Sequence, residues 1–420
     1  MSLTIAGCAK KSETTTAQKT ILIWHWLTDR EEAFAKLARQ YEQRTGIKVI
    51  FELYAPSDAY SQKIRASAQT NTLPDIYGLL APKKDLASFV KAGHAADLIY
   101  AMTAEKNKWK DSLFDKTLAV NEFLQGNEYG AAPGIYGVPI DAMNIQMLYN
   151  KDLFKKAGID PLQAPRTWEE FLEVGRKLKA AGIEGLVSGW DETWMIDCLA
   201  SNYAFNIMGE KKVVDTIKGD VSYADPDWIK VFSVFKEMQD NGLLAKGIVN
   251  MVNKTAEQMF SNGIAAFAFN GSWCVNVYRE MNPDLNYGVM LPPPYSDKYP
   301  MKIWGGAGTS FLVNANTKVK QEAIEFLKFL TAKEQQAFLA QETLNLPSNK
   351  DSLVAINPVL AEFADDMDSA VHPNALPVQE FPRVIEAFDK GIQSILIGEM
   401  TPEEVALNVQ SVKLRELSKK

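Results

Sequence analysis

Apolar positions along the chain switch repeatedly between two spacings. Ile21 to Trp26 is a short, apolar, β-rich run and reads as a strand. Phe34, Leu37, Ala38 and Tyr41 then recur at helical spacing, with Gly46 as a stop. Ile47, Val49, Phe51 and Leu53 alternate with polar residues, which is the strand period, and Pro74 to Tyr77 reads as a short strand after a turn. Thr167 and Glu170 have the spacing of a capping box, opening a helix that runs to Ala181 and closes at Gly182. Asp225 followed by Pro226 starts another, which turns Ile229, Phe232, Phe235 and Met238 inward and stops at Gly242. Thr255 and Gln258 have capping-box spacing again, with a strand at 265–269 after them. Leu291 to Pro294 is a polyproline-like loop, and 319–330 and 383–397 are amphipathic helices. Strands separated by helices predict an α/β protein with largely parallel sheets. No repeat of solenoid length is present.

The length of 420 residues predicts two or three domains rather than one core. With 45 Lys+Arg against 52 Asp+Glu the net charge is −7 and there is no basic block, which argues against nucleic acid or an anionic membrane surface as partner. No run of about 18 apolar residues predicts a membrane-spanning helix. Three cysteines make no disulfide framework, and no CxxC pair suggests zinc or redox work. Cys198 and Cys274 fall in predicted helices and read as small apolar fillers, a bridge between them staying open. A multi-histidine metal site would need nearly all of His25, His94 and His372, so no metal and no cofactor is expected. Gly305, Gly306 and Gly308 lack the lysine and the spacing of a phosphate loop, and neither a GxSxG elbow nor an HExxH pair is present.

Ile5, Ala6, Gly7 and Cys8 resemble a bacterial lipobox, in which Cys8 is lipidated. Residues 9–20 are rich in Lys, Ser, Thr and Gln, with no apolar side chain larger than Ala, a tether composition. Residues 1–19 are therefore expected to be a lipoprotein tether, and the lipid the only link to a membrane.

Nine tryptophans are the most informative residues. Trp109, Trp168 and Trp228 have packing contexts. Trp24 and Trp26 sit near the carboxyl end of the first strand. Trp190 and Trp194 flank Asp191, Glu192 and Thr193 at a loop-to-helix entry. Trp273 follows a strand, and Trp304 precedes the Gly-rich turn. Ligands of open α/β sheets bind beyond the carboxyl ends of the strands. Aromatic faces there, with Asp, Asn, His and Arg hydrogen-bonders, suit sugar rings, which have apolar C–H faces and a rim of hydroxyls.

The chain resembles the extracellular solute-binding proteins of ABC importers, in the carbohydrate-binding group that includes maltose-binding protein. The resemblance runs from about Thr20 to the C-terminus. It is carried by Ile21 to Trp26, Thr45 to Val49, Pro74 to Ile76, Tyr136 to Asp141, Leu148 to Gly158, Pro165 to Phe171, Asn270 to Trp273, Leu291 to Pro294, Gly305-Gly306, Ala323 to Glu334 and Leu346 to Ser348. Each segment is weak alone; their order and spacing are specific. It implies a class II periplasmic-binding-protein-like α/β fold, with two lobes and a cleft between them that closes by hinge motion. The lobes would be 20–140 with 311–355, and 146–304 with 363–420. The chain would cross between them at 141–145, 305–310 and 356–362.

The resemblance also implies site residues. His25, Trp26, Thr28 and Asp29 would line the cleft after the first strand. Asp141 would accept hydrogen bonds from sugar hydroxyls at the first crossing. Trp190, Asp191, Trp194 and Tyr203 fall in a segment that supplies aromatic stacking, and Trp273 matches a stacking tryptophan. Trp304 and Gly306 would approach ligand near the second crossing, and His372 to Arg383 would lie near the cleft, with Arg383 and Arg30 able to pair an anion. Leu79, Leu80, Ala81 and Pro82 replace polar ligand contacts of the maltose binder, which argues against maltose. The expected partners are a carbohydrate and two ABC permease subunits that carry cytoplasmic ATPases; the expected state is a monomer outside the cytoplasm, in the periplasm or on the outer face of the cell membrane. The alternatives are a binder of glycerol phosphate or another non-sugar solute, a surface glycan or peptide binder without a transporter, and a glycan hydrolase using Asp141 with Asp191 or Glu192, the last disfavoured by the missing motifs and the family's lack of enzymes.

Overall fold

The computed structural model describes residues 18–419. Thirteen strands are present among them: β1 (Thr20–His25), β2 (Lys48–Leu53), β3 (Ile76–Gly78), β4 (Glu122–Phe123), β5 (Gly134–Ile135), β6 (Val138–Pro139), β7 (Ala142–Asn150), β8 (Glu184–Val187), β9 (Ala265–Gly271), β10 (Tyr287–Met290), β11 (Ile303–Ala307), β12 (Ser310–Val313) and β13 (Ala370–Val371). They form two large sheets and the small β4–β5 pair. The first sheet has the order β2-β1-β3-β12-β6; the second has the order β13-β11-β7-β9-β8, with β10 also on β7.

The expected parallel pairing holds where helices make the crossovers: β1 with β2 and β3, and β8 with β9. It fails at β7, which runs antiparallel to β9, β10 and β11, and at β12, antiparallel to β3 and β6. The reason is connectivity. A helical crossover returns the chain to run parallel, whereas β7 and β12 are entered directly from a strand of the other sheet.

Alternation sorts the side chains of β1. Ile21 and Ile23 are fully buried and pack with Phe34, Leu37 and Tyr41 of the helix Glu31–Thr45. Trp24 points to the other face, with Tyr60 and Tyr77. The second lobe packs the helices Trp168–Ala180, Trp194–Lys218, Pro226–Asp240, Pro382–Leu396 and Pro402–Leu417 into one core with β7 and β9.

The helix ends follow local chemistry. Gly46 (φ 74°) ends Glu31–Thr45, and Thr167 and Glu170 form the expected capping box. Asp225 caps Pro226–Asp240. The box expected at Thr255 does not form; the helix Asn253–Ser261 begins two residues earlier, where Glu192 accepts the Asn253 N–H (3.1 Å). Cys198 and Cys274 are buried, free thiols, so no bridge joins them.

Between the sheets the chain passes at Ile140–Asp141, at Gly308–Thr309, and between the helices Lys333–Thr343 and Pro358–Asp365. Residues 142–145 and 305–307, expected within the crossings, are strand residues of the second sheet. The passages are bonded to one another. The Ile140 N–H donates to Thr309 O (2.9 Å) and the Ala142 N–H to Leu346 O (2.8 Å). Gln336 Nε2 donates to Ile140 O (2.9 Å), and its Oε1 accepts the Ser348 N–H (2.7 Å).

Candidate functional site

The direct passages determine which sheet edges meet. In the first sheet, β1 and β3 end at His25 and Gly78, and β12 begins beside them, Phe311 pairing Gly78. In the second, β9 ends at Gly271 opposite Ile145, and β11 ends at Ala307 opposite Ala142. The passages 140–141 and 308–309 join these same two edges. Residues just past β1, β3, β8, β9 and β13 therefore border one gap, at the end of the sheets where open α/β folds bind ligands.

On the first lobe, the Trp26 ring lies on the backbone of Gly78; a Cβ there would come within 2.3 Å of Trp26 Cζ3. Tyr60 supports the ring from behind (centroids 5.1 Å), its hydroxyl held at the Trp24 and Gly78 carbonyls (2.9 and 2.8 Å). Thr28 and Asp29 are exposed at the same edge. On the second lobe the same device recurs. Trp273 lies on Gly271, where a Cβ would be 1.9 Å from Trp273 Cζ3, and Trp194 is 6.2 Å away, tilted by 41° and 41% exposed. Trp304 packs on His372 (4.6 Å). Gly306 is covered; a Cβ on it would meet His372 Cβ and Lys116 O at 3.2 Å.

A cavity of about 180 Å³ lies where the first-lobe edge meets the second passage. Its apolar wall includes Leu79, Leu80, Ala81 and Leu312; Asn121, Ser310, His372 and Asn374 supply polar atoms. Lys83 also borders it, but its Nζ donates to the carbonyls of Ala119, Val120 and Glu122 (3.0, 2.8 and 2.7 Å), which uses all three protons. Burial pushes this amine down to about 8. Burial, with the nearby Lys83 charge, pushes the His372 imidazole down to about 4, so it is neutral.

Several expected site residues lie elsewhere. His25 shares the inward parity of Ile21 and Ile23 and is 1% exposed, wedged between Phe34 and Phe51 (5.2 and 5.7 Å). Burial, then the Arg30 charge, pushes its pKa down to about 4. Trp190 is fully buried against Phe235 (5.6 Å), and Tyr203 fully buried against Trp168 (5.6 Å). Both fill the second-lobe core, Trp190 from the loop that follows β8 and Tyr203 from the inward face of the helix Trp194–Lys218. Asp191 is exposed on the loop between them and the edge. Arg383 lies on the outer face of Pro382–Leu396 and pairs with Glu416 (3.7 Å) on the neighbouring helix.

Asp141 is buried, and both its oxygens are engaged. Arg30 Nη1 is 2.5 Å from Oδ2, and the Thr309 N–H donates to Oδ1. Burial pushes the carboxyl up, while Arg30 and the Thr309 amide pull against it. Burial likewise opposes charge on Arg30, but Asp141 and Asp29 more than restore it. This carboxylate binds the first passage to the second and to the segment after β1, instead of presenting a free acceptor.

Of the expected residues, the structure brings Trp26, Thr28, Asp29, Trp194, Trp273 and Trp304 to the facing edges. It adds Tyr60, Asn121, Ser310 and Asn374. Only the Pro-Asn pair after His372 carried a sequence signal; Asn121 and Ser310 are ordinary polar residues brought together by pairing of β12. Among the described residues no cluster of three or more His, Cys, Asp or Glu could hold a metal ion, and no helix is long and apolar enough to cross a membrane. Cys8 lies outside the described residues.

A binding protein of Brucella abortus (strain 2308) is 26% identical over 397 residues, covering 89% of this chain and 86% of its own. The sn-glycerol-3-phosphate-binding periplasmic protein of Escherichia coli (strain K12) is 25% identical over 281 residues, 63% of each chain. Among solved structures, the cyclic alpha-maltosyl-1,6-maltose binding protein from Arthrobacter globiformis has the same fold, with a TM-score of 0.75 at 20% identity, covering 96% of this chain and 100% of that one. The family described as bacterial extracellular solute-binding protein matches residues 36–367. With two α/β lobes and an aromatic-edged gap between them, the chain belongs to the bacterial extracellular solute-binding proteins.

Proposed function

We propose that this chain is the extracytoplasmic binding component of an ABC importer and that it captures a neutral carbohydrate between its lobes. The observation that carries the reading is the pair of tryptophan platforms, Trp26 on Gly78 and Trp273 on Gly271, on the two facing edges. Flat apolar faces on both sides of a gap suit the C–H faces of a sugar ring. Closure of the lobes would trap the ligand without turnover, and the loaded monomer would deliver it to membrane permease subunits. Lipidation of Cys8 would hold it at the membrane.

Glycerol phosphate is the second reading, favoured by the likeness to the Escherichia coli protein. It is weakened because Arg30 is committed to Asp141 and Arg383 is exposed on the outer face of its helix, beside Glu416. The hydrolase reading is weakened in the same way: Asp141 is held by Arg30, and Glu192 caps a helix amide.

The test is a thermal-shift screen against sugars, sugar phosphates, polyols and amino acids. A ligand at about 100 times its Kd adds ~2.7 kcal/mol to the native state. At about 2–4 °C per kcal/mol for lobes of this size, that is a rise of several degrees. A response confined to neutral sugars supports the reading; a response to glycerol phosphate alone overturns it.

A further inference from the structure

Resting on the carbohydrate reading, we infer that the solute is an N-acetylated sugar whose acetamido group seats in the cavity between Leu79–Ala81 and His372–Asn374. The argument is a count of hydrogen-bonding groups. His372 Nδ1 accepts the Asn374 N–H (3.0 Å), so the neutral ring carries its proton on Nε2 and presents a donor. Asn374 Oδ1 accepts from the Lys83 N–H (3.3 Å) and from Gln379 Nε2 (2.6 Å), which fixes the amide and leaves Nδ2 as a donor. Ser310 Oγ accepts from Asn121 Nδ2 (2.7 Å), so its own proton is available.

None of the residues bordering the cavity is Asp or Glu, and the Lys83 ammonium is used up on carbonyls. The side chains bordering the cavity therefore offer three donors, from His372, Asn374 and Ser310, against the acceptor oxygen of Asn121, beside an apolar wall. Each sugar hydroxyl brings a proton that needs an acceptor, and several hydroxyls together would outnumber the side-chain acceptors here. An acetamido carbonyl only accepts, and its methyl group matches Leu79, Leu80 and Leu312. In a trans acetamide the N–H points away from the carbonyl, so it does not oppose these donors. At about 180 Å³ the cavity holds a substituent or a single ring, below the ~300 Å³ at which pockets for larger ligands begin. Trp304 packs on the His372 ring.

The experiment is calorimetric titration of the full chain with N-acetylglucosamine, N-acetylgalactosamine, N-acetylmannosamine and diacetylchitobiose. Each is compared with its parent hexose or cellobiose, and fucose is added as a methyl-bearing sugar without the carbonyl. The expected result is that at least one acetamido sugar binds ten-fold or more tighter than its parent. Asn374→Asp keeps the acceptor for the Lys83 amide and replaces the free donor by a carboxylate; it should abolish that preference. Leu79→Ser, at a half-buried position, should reduce it several-fold with the fold intact. Parent sugars binding as well as acetamido sugars, or fucose matching them, would overturn the inference and leave the carbohydrate reading standing. No binding by any of these sugars would overturn the inference, and the thermal-shift screen across sugars then decides the carbohydrate reading.

Discussion

Asp141→Asn separates a structural carboxylate from a ligand-binding one. The substitution keeps the shape and one acceptor for the Thr309 amide, but it removes the charge 2.5 Å from Arg30, a guanidinium 8% exposed. Breaking a buried ion pair by neutralising one partner typically costs about 3–5 kcal/mol, because the other charge stays buried. Asp29, 3.4 Å from Arg30 Nε but half exposed, compensates only weakly, so the lower end, ~3 kcal/mol, is expected. For a lobe of this size that is a fall in Tm of roughly 6–12 °C. The double substitution Arg30→Met with Asp141→Leu leaves no unpaired charge and should cost less than Asp141→Asn alone. Thermal and urea unfolding followed by circular dichroism, with solute titration on the same samples, reads both quantities. The reasoning is refuted if Asp141→Asn unfolds with the parent while solute affinity drops, since the carboxylate would then serve the ligand.

Trp273→Ala should weaken solute binding by ~1–3 kcal/mol and leave the unfolding transition nearly in place, because the ring is only partly buried; equal affinity by calorimetry removes Trp273 from the site. Gly78→Ala should displace the Trp26 ring, seen as a change in tryptophan fluorescence, with a stability cost of ~1–3 kcal/mol; an unchanged spectrum contradicts the stacking. Asp389→Asn probes a buried acid. Asp389 is 2% exposed, and its Oδ1 has no hydrogen-bond partner among the described residues. Burial, then the nearby Asp197, pushes it up to about 9. The native state therefore keeps a proton that the unfolded chain loses near pH 4. The contribution is full below about pH 4 and is lost as pH rises toward 9, by up to ~1.4 kcal/mol per pH unit. The variant should gain on the parent between pH 5 and pH 8 in urea unfolding; parallel stability curves would rule this out.

The elements were legible because their signals are local. Gly46, the Thr167 capping box and the Asp225-Pro226 cap each specify an end from a few residues, and the inward row of Phe232, Phe235 and Met238 follows from helical period. Trp109, Trp168 and Trp228 are buried, each with its indole N–H bonded, as packing residues should be. The site was harder because membership depends on side-chain direction. His25 and Trp26 are neighbours, yet alternation sends one into the core and the other over Gly78. Trp190 and Trp194 flank one loop, yet the first packs on Phe235 of the helix Pro226–Asp240 and the second stands beside Trp273, contacts between segments distant in sequence. Asp141 lies on the first passage between the sheets, but its partner Arg30 is distant in sequence, and nothing local shows that the pair closes.

The mutual bonding of the three passages has a mechanical consequence. Straps tied to one another resist sliding but permit swinging, so the closure proposed above would reduce to rotation about a line through them. In such a rotation each atom travels in proportion to its lever arm. The cavity is bordered by Gly308, on the second passage, and sits almost at the pivot, where displacement is least. The Glu128–Lys218 contact (4.0 Å) and Trp194 lie farther out, where a few degrees become ångströms. If the cavity holds the solute as proposed, its walls would stand at the still point, assembled before the outer walls swing in, and the rim would set how long the solute is retained.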